Sequence, residues 1–286
     1  MTTGGQQAAG AQLEMPGMPR RLFSATPSKL ACFSDCPRRY RFTYVDRPAP
    51  PKGPPWAHNT VGSAVHAALR SWWELPVERR TPAAARQLLY AGWSPNGFRD
   101  SEQSELWRAR AAGWLTDYVA GLDPADEPVG TERQVAATTE RLALSGRVDR
   151  IDQRGDELVI VDYKTGRAVC TDDEARGSPA LAAYVLGVRR TLRRPCRRVE
   201  LHHLPSGTVA AFEHTERSLA NHVRRAEDVA ADIGAATEAM AAGAGPDEAF
   251  PAAPGRQCGW CDFRSSCPTG QAAAPARETW SFLPVE

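Results

Sequence analysis

The stretch Glu157-Leu158-Val159-Ile160-Val161-Asp162-Tyr163-Lys164 constrains this chain more than any other. In a strand, alternate side chains share a face. Leu158, Ile160, Asp162 and Lys164 therefore fall on one side, and Val159 and Val161 on the other. Apolar residues on both faces mark a strand covered on both sides, as at the centre of a sheet flanked by helices. This one ends on an acid and a base, and buried charge is costly unless it is paired or bound to a metal. An Asp–Lys ion pair at a strand end is the plain account; a reactive site is the other.

Leu142 to Asp152 alternates in the same way, and Gln153-Arg154-Gly155-Asp156 supplies a turn that folds the two stretches into a hairpin. Asp149 is thereby brought next to Asp162. Two neighbouring carboxylates repel, and a hard divalent cation relieves the repulsion. Mg²⁺ and Mn²⁺ favour such an oxygen setting, completed by water and a substrate phosphate. The Tyr163 carbonyl is a further candidate ligand. Lys164 is placed to position or help deprotonate an attacking water and to stabilise charge on the phosphate. With 3 Lys against 32 Arg in 286 residues, a lysine at this point stands out.

The rest of the chain divides by composition and period. Residues 1–23 are Gly/Gln/Ala-rich and read as a disordered tail without a signal-peptide pattern. Residues 24–58 form an N-terminal helical segment, with Ser28 as helix cap, Pro37 starting a second turn, and a Pro/Gly linker from Pro48 to Pro55. Residues 59–128 are helical: Val61, Val65, Ala68, Leu69 and Trp72 repeat near 3.6, and further helices are predicted over Pro82–Trp93 and Glu102–Leu122. Residues 129–215 form the core, with strands at Glu132–Thr138, Leu142–Asp152, Glu157–Tyr163, Val199–Leu204 and Val209–His214 and a helix over Ser178–Leu192. A long helix (216–250), a cysteine segment (251–270) and a C-terminal tail (271–286) complete it. This order predicts a mixed α/β fold. No apolar run approaches the ~20 residues of a membrane span, so a cytoplasmic protein without a membrane partner is expected. No Gly-x4-Gly-Lys-[Ser/Thr] loop occurs, which excludes a motor of the Walker kind in this sequence.

Seven cysteines are an odd number for a disulfide framework. Cys258, Cys261 and Cys267 follow a Cys-x2-Cys-x5-Cys spacing with Pro268 after the last, a loop suited to thiolates converging on a metal. Cys36, in a Cys-Pro pair, is the candidate fourth ligand, with Cys32 as its rival; Cys170 and Cys196 are bystanders. Four thiolates also suit tetrahedral zinc. Arg38, Arg39 and Arg41 beside Cys36 are candidates for phosphate contacts, and six of the ten residues from Arg189 to Arg198 are Arg. For charge alone, a solvated helix face is the plainer account. Tyr40, Trp260 and Phe263 are candidates to stack on a base or to pack around the metal.

With Gly62-Ser63-Ala64-Val65-His66, Glu132 at the head of the first core strand, Gly146-Arg147-Val148-Asp149-Arg150-Ile151-Asp152 and Asp162-Tyr163-Lys164-Thr165-Gly166, the sequence resembles the PD-(D/E)XK nuclease superfamily from Ser24 to about Pro268. Within it, the likeness is to RecB-like exonucleases, AddB nuclease domains and CRISPR-associated iron–sulfur nucleases. The resemblance implies a restriction-endonuclease-like core, a mixed central sheet flanked by helices. It implies that His66, Glu132, Asp149 and Asp162 surround a metal, with Lys164 as the catalytic lysine. It implies a [4Fe–4S] cluster on Cys36, Cys258, Cys261 and Cys267, stapling the chain ends, with zinc the less favoured occupant. The implied activity is Mg²⁺- or Mn²⁺-dependent hydrolysis of DNA, from ends or on single strands, in repair or recombination, beside a separate helicase or repair protein. One departure stands out. The family's Gln-x-x-x-Tyr helix keeps Tyr184, but Ala180 occupies the glutamine position. A weak or inactive nuclease fold that binds DNA as a scaffold is the alternative.

Overall fold

The alternating segments pair into one mixed sheet in a computed structural model that describes residues 22–283. Its six strands are β1 (Phe23–Ala25), β2 (Gly130–Thr138), β3 (Leu142–Arg154), β4 (Glu157–Lys164), β5 (Cys196–His203) and β6 (Thr208–Glu213). They lie in the order β1-β3-β4-β5-β6, with β2 also paired to β3. The 13-residue β3 sets the architecture. Antiparallel β2 runs along one of its edges from Ala143 to Ile151. The other edge is shared between β1, parallel at Leu142–Leu144, and β4, antiparallel at Arg150–Arg154. Between them, residues 145–149 have no strand partner on that edge, and the sheet opens there. The turn from β3 to β4 holds Gly155 at φ +60, a left-handed conformation that a residue without Cβ adopts at no steric cost.

Ten helices are described: α1 (Pro27–Asp35), α2 (Pro37–Tyr44), α3 (Ala57–Trp73), α4 (Pro82–Ala91), α5 (Ser101–Ala120), α6 (Asp172–Gly177), α7 (Pro179–Leu192), α8 (Glu216–Ala241), α9 (Pro246–Ala249) and α10 (Pro268–Ala273). On one face of the sheet, Val65, Leu69 and Trp72 of α3 and Leu115 of α5 bury Val161 and Tyr163 of β4. On the other face, Leu181, Val185 and Val188 of α7 cover Ile151, Leu158, Ile160 and Val199. Both faces of β4 are thus sealed, as its unbroken apolar run predicts. The parallel step from β4 to β5 needs a crossover, which α6 and α7 provide. A third core joins the chain ends: Leu30 and Tyr40 from α1 and α2 pack with Ala230 and Ile233 of α8 and with Phe250.

Three expectations are corrected. Thr26, not Ser28, caps α1: its hydroxyl accepts the Lys29 amide at 3.1 Å, because Pro27 takes the first helical position. Strand β1 begins within the stretch read as a tail, whose residues 1–21 lie outside the described ones. The C-terminal stretch is docked as far as Leu283, which is buried; the Gln103 side-chain amide donates to its carbonyl at 3.0 Å, and the Ala57 amide donates to Thr279. Among the described residues, no helix is long and apolar enough to cross a membrane.

Candidate functional site

The opening on β3 floors a cleft of about 800 Å³, walled by α1, α3, β2 and α7. The β3–β4 ladder ends at the Arg150–Val161 pair. At the next step a side chain takes over: Asp149 Oδ2 accepts the Tyr163 amide at 2.9 Å. Its carboxylate is therefore fixed where the strands part. From α3, His66 Nε2 lies 3.1 Å from the Tyr163 carbonyl oxygen, and its Nδ1 lies 3.4 Å from Asp149 Oδ2. A carbonyl only accepts, so Nε2 carries the hydrogen. In a neutral ring Nδ1 and Asp149 then face each other as two acceptors, and a proton or a cation belongs between them.

Glu132 of β2 completes the group. One ligand atom each from His66, Glu132 and Asp149 fall within 4.8 Å of one another. Glu132 has φ 46, a left-handed conformation that costs a non-glycine residue of order 1–3 kcal/mol and clusters at functional sites. It interrupts regular pairing between Thr131–Arg150 and Arg133–Val148, and its carboxylate lies 2.7 Å from Arg147 Nε. Asp162 sits beside this trio rather than within it. Its Oδ2 is an ion-pair partner of Lys164 Nζ at 2.5 Å, yet that buried oxygen has no aligned hydrogen-bond donor. The plain ion-pair account is thus present in the structure.

The electrostatics show a deficit of positive charge. Burial, with Asp149 adding, raises the Asp162 carboxyl above its usual range although Lys164 opposes. Burial and Asp149 likewise raise Glu132. Burial works against a charged His66, but the hydrogen bond and charge of Asp149 outweigh it and raise the imidazole. Burial opposes charge on Lys164 too, and Asp162 outweighs it, so the amine holds its proton above the ordinary lysine range. Burial first, then Asp162 and Asp149, push the Tyr184 phenol up to about 12. Carboxylate oxygens from Glu132 and Asp149 and one imidazole, with the Asp162 carboxylate adjoining, are a donor set that fits a divalent cation.

Two glycines make room. A Cβ at Gly146 would lie 2.5 Å from Tyr184 Cε1, so only glycine lets that ring lie against β3. A Cβ at Gly62 would lie 3.2 Å from Thr165 Oγ1, which ties the His66 helix to the loop after Lys164. Ala180 lines the cleft as well, so position 180 offers no polar group there.

Sequence reading missed Arg150 and His203. Arg150 is buried; Nη2 donates to Asp152 Oδ2 at 2.9 Å, Nη1 to the Tyr118 and Tyr163 hydroxyls at 3.2 and 3.3 Å, and the guanidinium lies 5.4 Å from the Trp73 ring centroid. Strand alternation was the available signal, since it sets Arg150 and Asp152 on the face opposite Asp149. His203 bridges the Gly166 carbonyl and the Ser206 hydroxyl, each at 2.7 Å, and so holds the loop after Lys164. Nothing in its sequence surroundings marks it.

Cys36, Cys258, Cys261 and Cys267 line a second cavity of about 160 Å³. Cys36 is the joint between α1 and α2, and its sulfur accepts the Ala253 amide at 3.4 Å. Cys267 accepts the Gly270 amide at 3.3 Å. Cys32 is buried in the core between α1 and α8 instead, Cys196 lies in the α7 core, and Cys170 lines a hollow with Lys164. The arginines part company. Arg41 is buried between Asp46 and Asp247, and Arg38 pairs with Asp247 at 3.0 Å, so these two hold α2 to α9 rather than facing solvent. Arg39 pairs with the exposed Asp35 at 3.6 Å and, with its side chain 40% exposed, is the most open of the three. Tyr40 and Phe263 are buried in packing with Phe250 and Phe42; Trp260 is half-buried.

Comparison with curated proteins gives no match. Among solved structures, one from Eubacterium rectale, provisionally named an exonuclease, shares 13% identity at a TM-score of 0.41, over 78% of this chain and 86% of that one. Another, SSO0001, shares 17% identity at a TM-score of 0.31, over 73% of this chain and 84% of that one. A family model described as the PD-(D/E)XK nuclease superfamily matches residues 24–268. That span holds the His66 helix, strands β2 to β6 and all four cavity cysteines, and the chain belongs to the PD-(D/E)XK nuclease superfamily.

Proposed function

We propose that the protein is a Mg²⁺- or Mn²⁺-dependent deoxyribonuclease of the RecB-like kind. It hydrolyses phosphodiester bonds in single-stranded DNA or at DNA ends, in repair or recombination, beside a separate helicase or repair protein. The observation that carries this is the convergence of His66, Glu132 and Asp149 next to the Asp162–Lys164 pair. His66, Glu132 and Asp149 hold the cation, with the Asp162 carboxylate and the Tyr163 carbonyl as adjoining oxygens. Bound there, the ion polarises a phosphate oxygen and acidifies a water. Lys164, with its raised pKa, is charged at neutral pH and donates to a phosphate oxygen once Asp162 turns away from it. Tyr184 keeps its proton and donates from the α7 side, where position 180 supplies nothing. Arg39 is the candidate for a contact further along the backbone.

End-labelled single- and double-stranded DNA, with Mg²⁺, Mn²⁺ or EDTA, tests this. Metal-dependent release of short products from labelled ends, absent in Asp162→Asn, supports the exonuclease. A second reading, a DNA-binding scaffold, is favoured by Ala180 at the cleft and by Lys164 already neutralising Asp162. Retained DNA binding with no cleavage under any metal supports that one.

Protons and the cation compete for the same groups. A group whose folded pKa is raised adds stability at low pH, and that stability is lost as pH climbs through the folded pKa. Asp162, Glu132 and His66 are all raised, so the metal-free cleft is favoured on the acid side. Metal binding displaces the His66 proton and so strengthens as pH rises from about 6 to 8. Mn²⁺ is therefore expected to raise the melting temperature more at pH 8 than at pH 6; an equal or larger rise at pH 6 contradicts the assignment.

The four-cysteine cavity is proposed to hold a [4Fe–4S] cluster. Cysteines from both chain ends meet there, and backbone amides point at two of the sulfurs, contacts that tune such clusters. Tetrahedral zinc at about 2.3 Å sets sulfurs about 3.8 Å apart. The same four thiolates suit either occupant, and the metal content decides between them. Anaerobically purified protein is expected to carry iron and acid-labile sulfide. Cys261→Ser is expected to lose both and to melt lower; full iron retention in that variant, or zinc in place of iron in the native protein, overturns the assignment.

A further inference from the structure

On the far side of the Lys164 loop lies a groove of about 510 Å³ with an aromatic lining. Trp107 and Trp114 come from α5, Trp260 from the turn between Cys258 and Cys261, Phe282 from the docked C-terminal stretch, and His58 from the start of α3. The rings support one another edge to face. Trp107 meets Trp114 at 5.9 Å, Trp260 meets Phe282 at 5.5 Å, and His58 meets Phe282 at 5.1 Å between centroids. Trp114, Trp260 and Phe282 are only half-buried, so apolar ring surface remains open to the groove. Two covered ring nitrogens of this lining, His58 Nδ1 and Trp107 Nε1, have no hydrogen-bond partner. Cations stand at the rim: Arg167 is exposed, and the Arg277 guanidinium lies 5.4 Å from the centroids of both Trp260 and Phe282.

We propose that this groove is a nucleobase-stacking subsite for the nucleotides flanking the phosphate held at the cleft; the proposal rests on the nuclease reading above. Continuity selects this occupant. Gly166 and Arg167 line both the aromatic groove and a neighbouring hollow, and Lys164 lines that hollow. Lys164 and Gly166 are two residues apart, at most ~7 Å of extended chain. That is about two rises of a stacked strand at 3.4 Å each. A strand with one phosphate at Lys164 therefore runs naturally toward the rings. Stacking also suits a nuclease that acts without sequence preference, because every base has a π face. The guanidinium rim adds cation–π attraction and phosphate contacts. The subsite also adjoins the cysteine cavity, since Trp260 and His58 line both.

The test is equilibrium binding of a fluorescein-labelled single-stranded 12-mer in EDTA, with a single abasic position moved along it. In the native protein, one or two abasic positions are expected to weaken binding by about 5- to 150-fold, the worth of one stacked base. Trp114→Leu keeps apolar cover on Trp107 but removes the stacking face. It is expected to bind the intact strand weaker by the same factor and to lose nothing more at the abasic positions, and Trp114→Phe restores most of the affinity. Phe282→Leu, at the other wall, reports the same coupling independently of how well Trp114→Leu folds. Hydrolysis of bis(p-nitrophenyl) phosphate with Mn²⁺, which is too short to reach the groove, is expected to be unchanged in Trp114→Leu. Native-like binding of both strands by folded Trp114→Leu and Phe282→Leu overturns the proposal. Abasic penalties that vanish in these variants uphold the subsite even if the native protein cleaves neither DNA nor the small diester, and the nuclease reading then fails alone.

Discussion

Asp149→Asn is expected to lower DNA cleavage about 10³-fold or more while leaving the fold in place. Asparagine keeps an oxygen to accept the Tyr163 amide, the bond that fixes residue 149 where β3 and β4 part. The charge is lost, and with it the anion that faces His66 Nδ1 at 3.4 Å and joins Glu132 in the trio. A metal's stabilisation of developing charge is worth several kcal/mol, and each ~1.4 kcal/mol is a factor of ten in rate. Lys164→Ala is expected to act in the same direction. It also leaves the buried Asp162 oxygen without the ammonium 2.5 Å from it, so Asp162→Asn/Lys164→Ala together separate the loss of chemistry from the burden of an unpaired acid. Single-turnover cleavage beside circular dichroism reads both effects. A native-like rate in a well-folded Asp149→Asn protein would place the chemistry elsewhere in the molecule.

The second large effect is on stability. Arg150→Ala is expected to destabilise the protein by about 3–5 kcal/mol, the usual cost of breaking a buried charge pair from one side. The guanidinium satisfies Asp152 and two tyrosine hydroxyls and fills the space beside Trp73. Its removal strands those groups and leaves a cavity against the face of β4 that carries Tyr163. At roughly 2–4 °C per kcal/mol for a domain of this size, the melting temperature is expected to fall by about 10 °C. A fall of under about 2 °C would show that the pair is not a structural pillar. Arg147→Ala is the comparison, because its partner Glu132 is half-buried but Arg147 itself is largely exposed, and a surface ion pair contributes about 0–1 kcal/mol.

The core strands were legible in the sequence because their patterns are redundant. The run Leu158 to Val161 can only be covered on both sides, and Gly155 with its neighbours can only be a turn. The pairing of Asp149 with the β3–β4 junction follows from hairpin register alone. The grouping of His66 with Glu132 does not follow, since it depends on how α3 crosses the sheet and on a left-handed glutamate that no local signal marks. Asp162 was expected among the ligands because the hairpin brings it next to Asp149 and the resemblance implies it; register does not say which neighbour its carboxylate meets, and it pairs with Lys164. Short elements also escaped. The three residues of β1 carry no readable period, and the C-terminal stretch is held through buried Leu283 and main-chain hydrogen bonds at Arg277, Thr279 and Leu283 rather than through pattern. The arginine cluster near Cys36 misled for a physical reason: clustering reports charge density, whereas the carboxylate of Asp247, some 200 residues on, decides that Arg38 and Arg41 turn inward.

The most direct measurement is the rate of DNA cleavage as Mn²⁺ is titrated into metal-stripped protein, read beside Mn²⁺ binding to the same sample. No cleavage is expected in EDTA, then a saturating rise whose midpoint follows the binding curve, with both lost in Asp149→Asn. Cleavage that persists in EDTA, or that survives in a variant that no longer binds Mn²⁺, would contradict the metal-dependent reading.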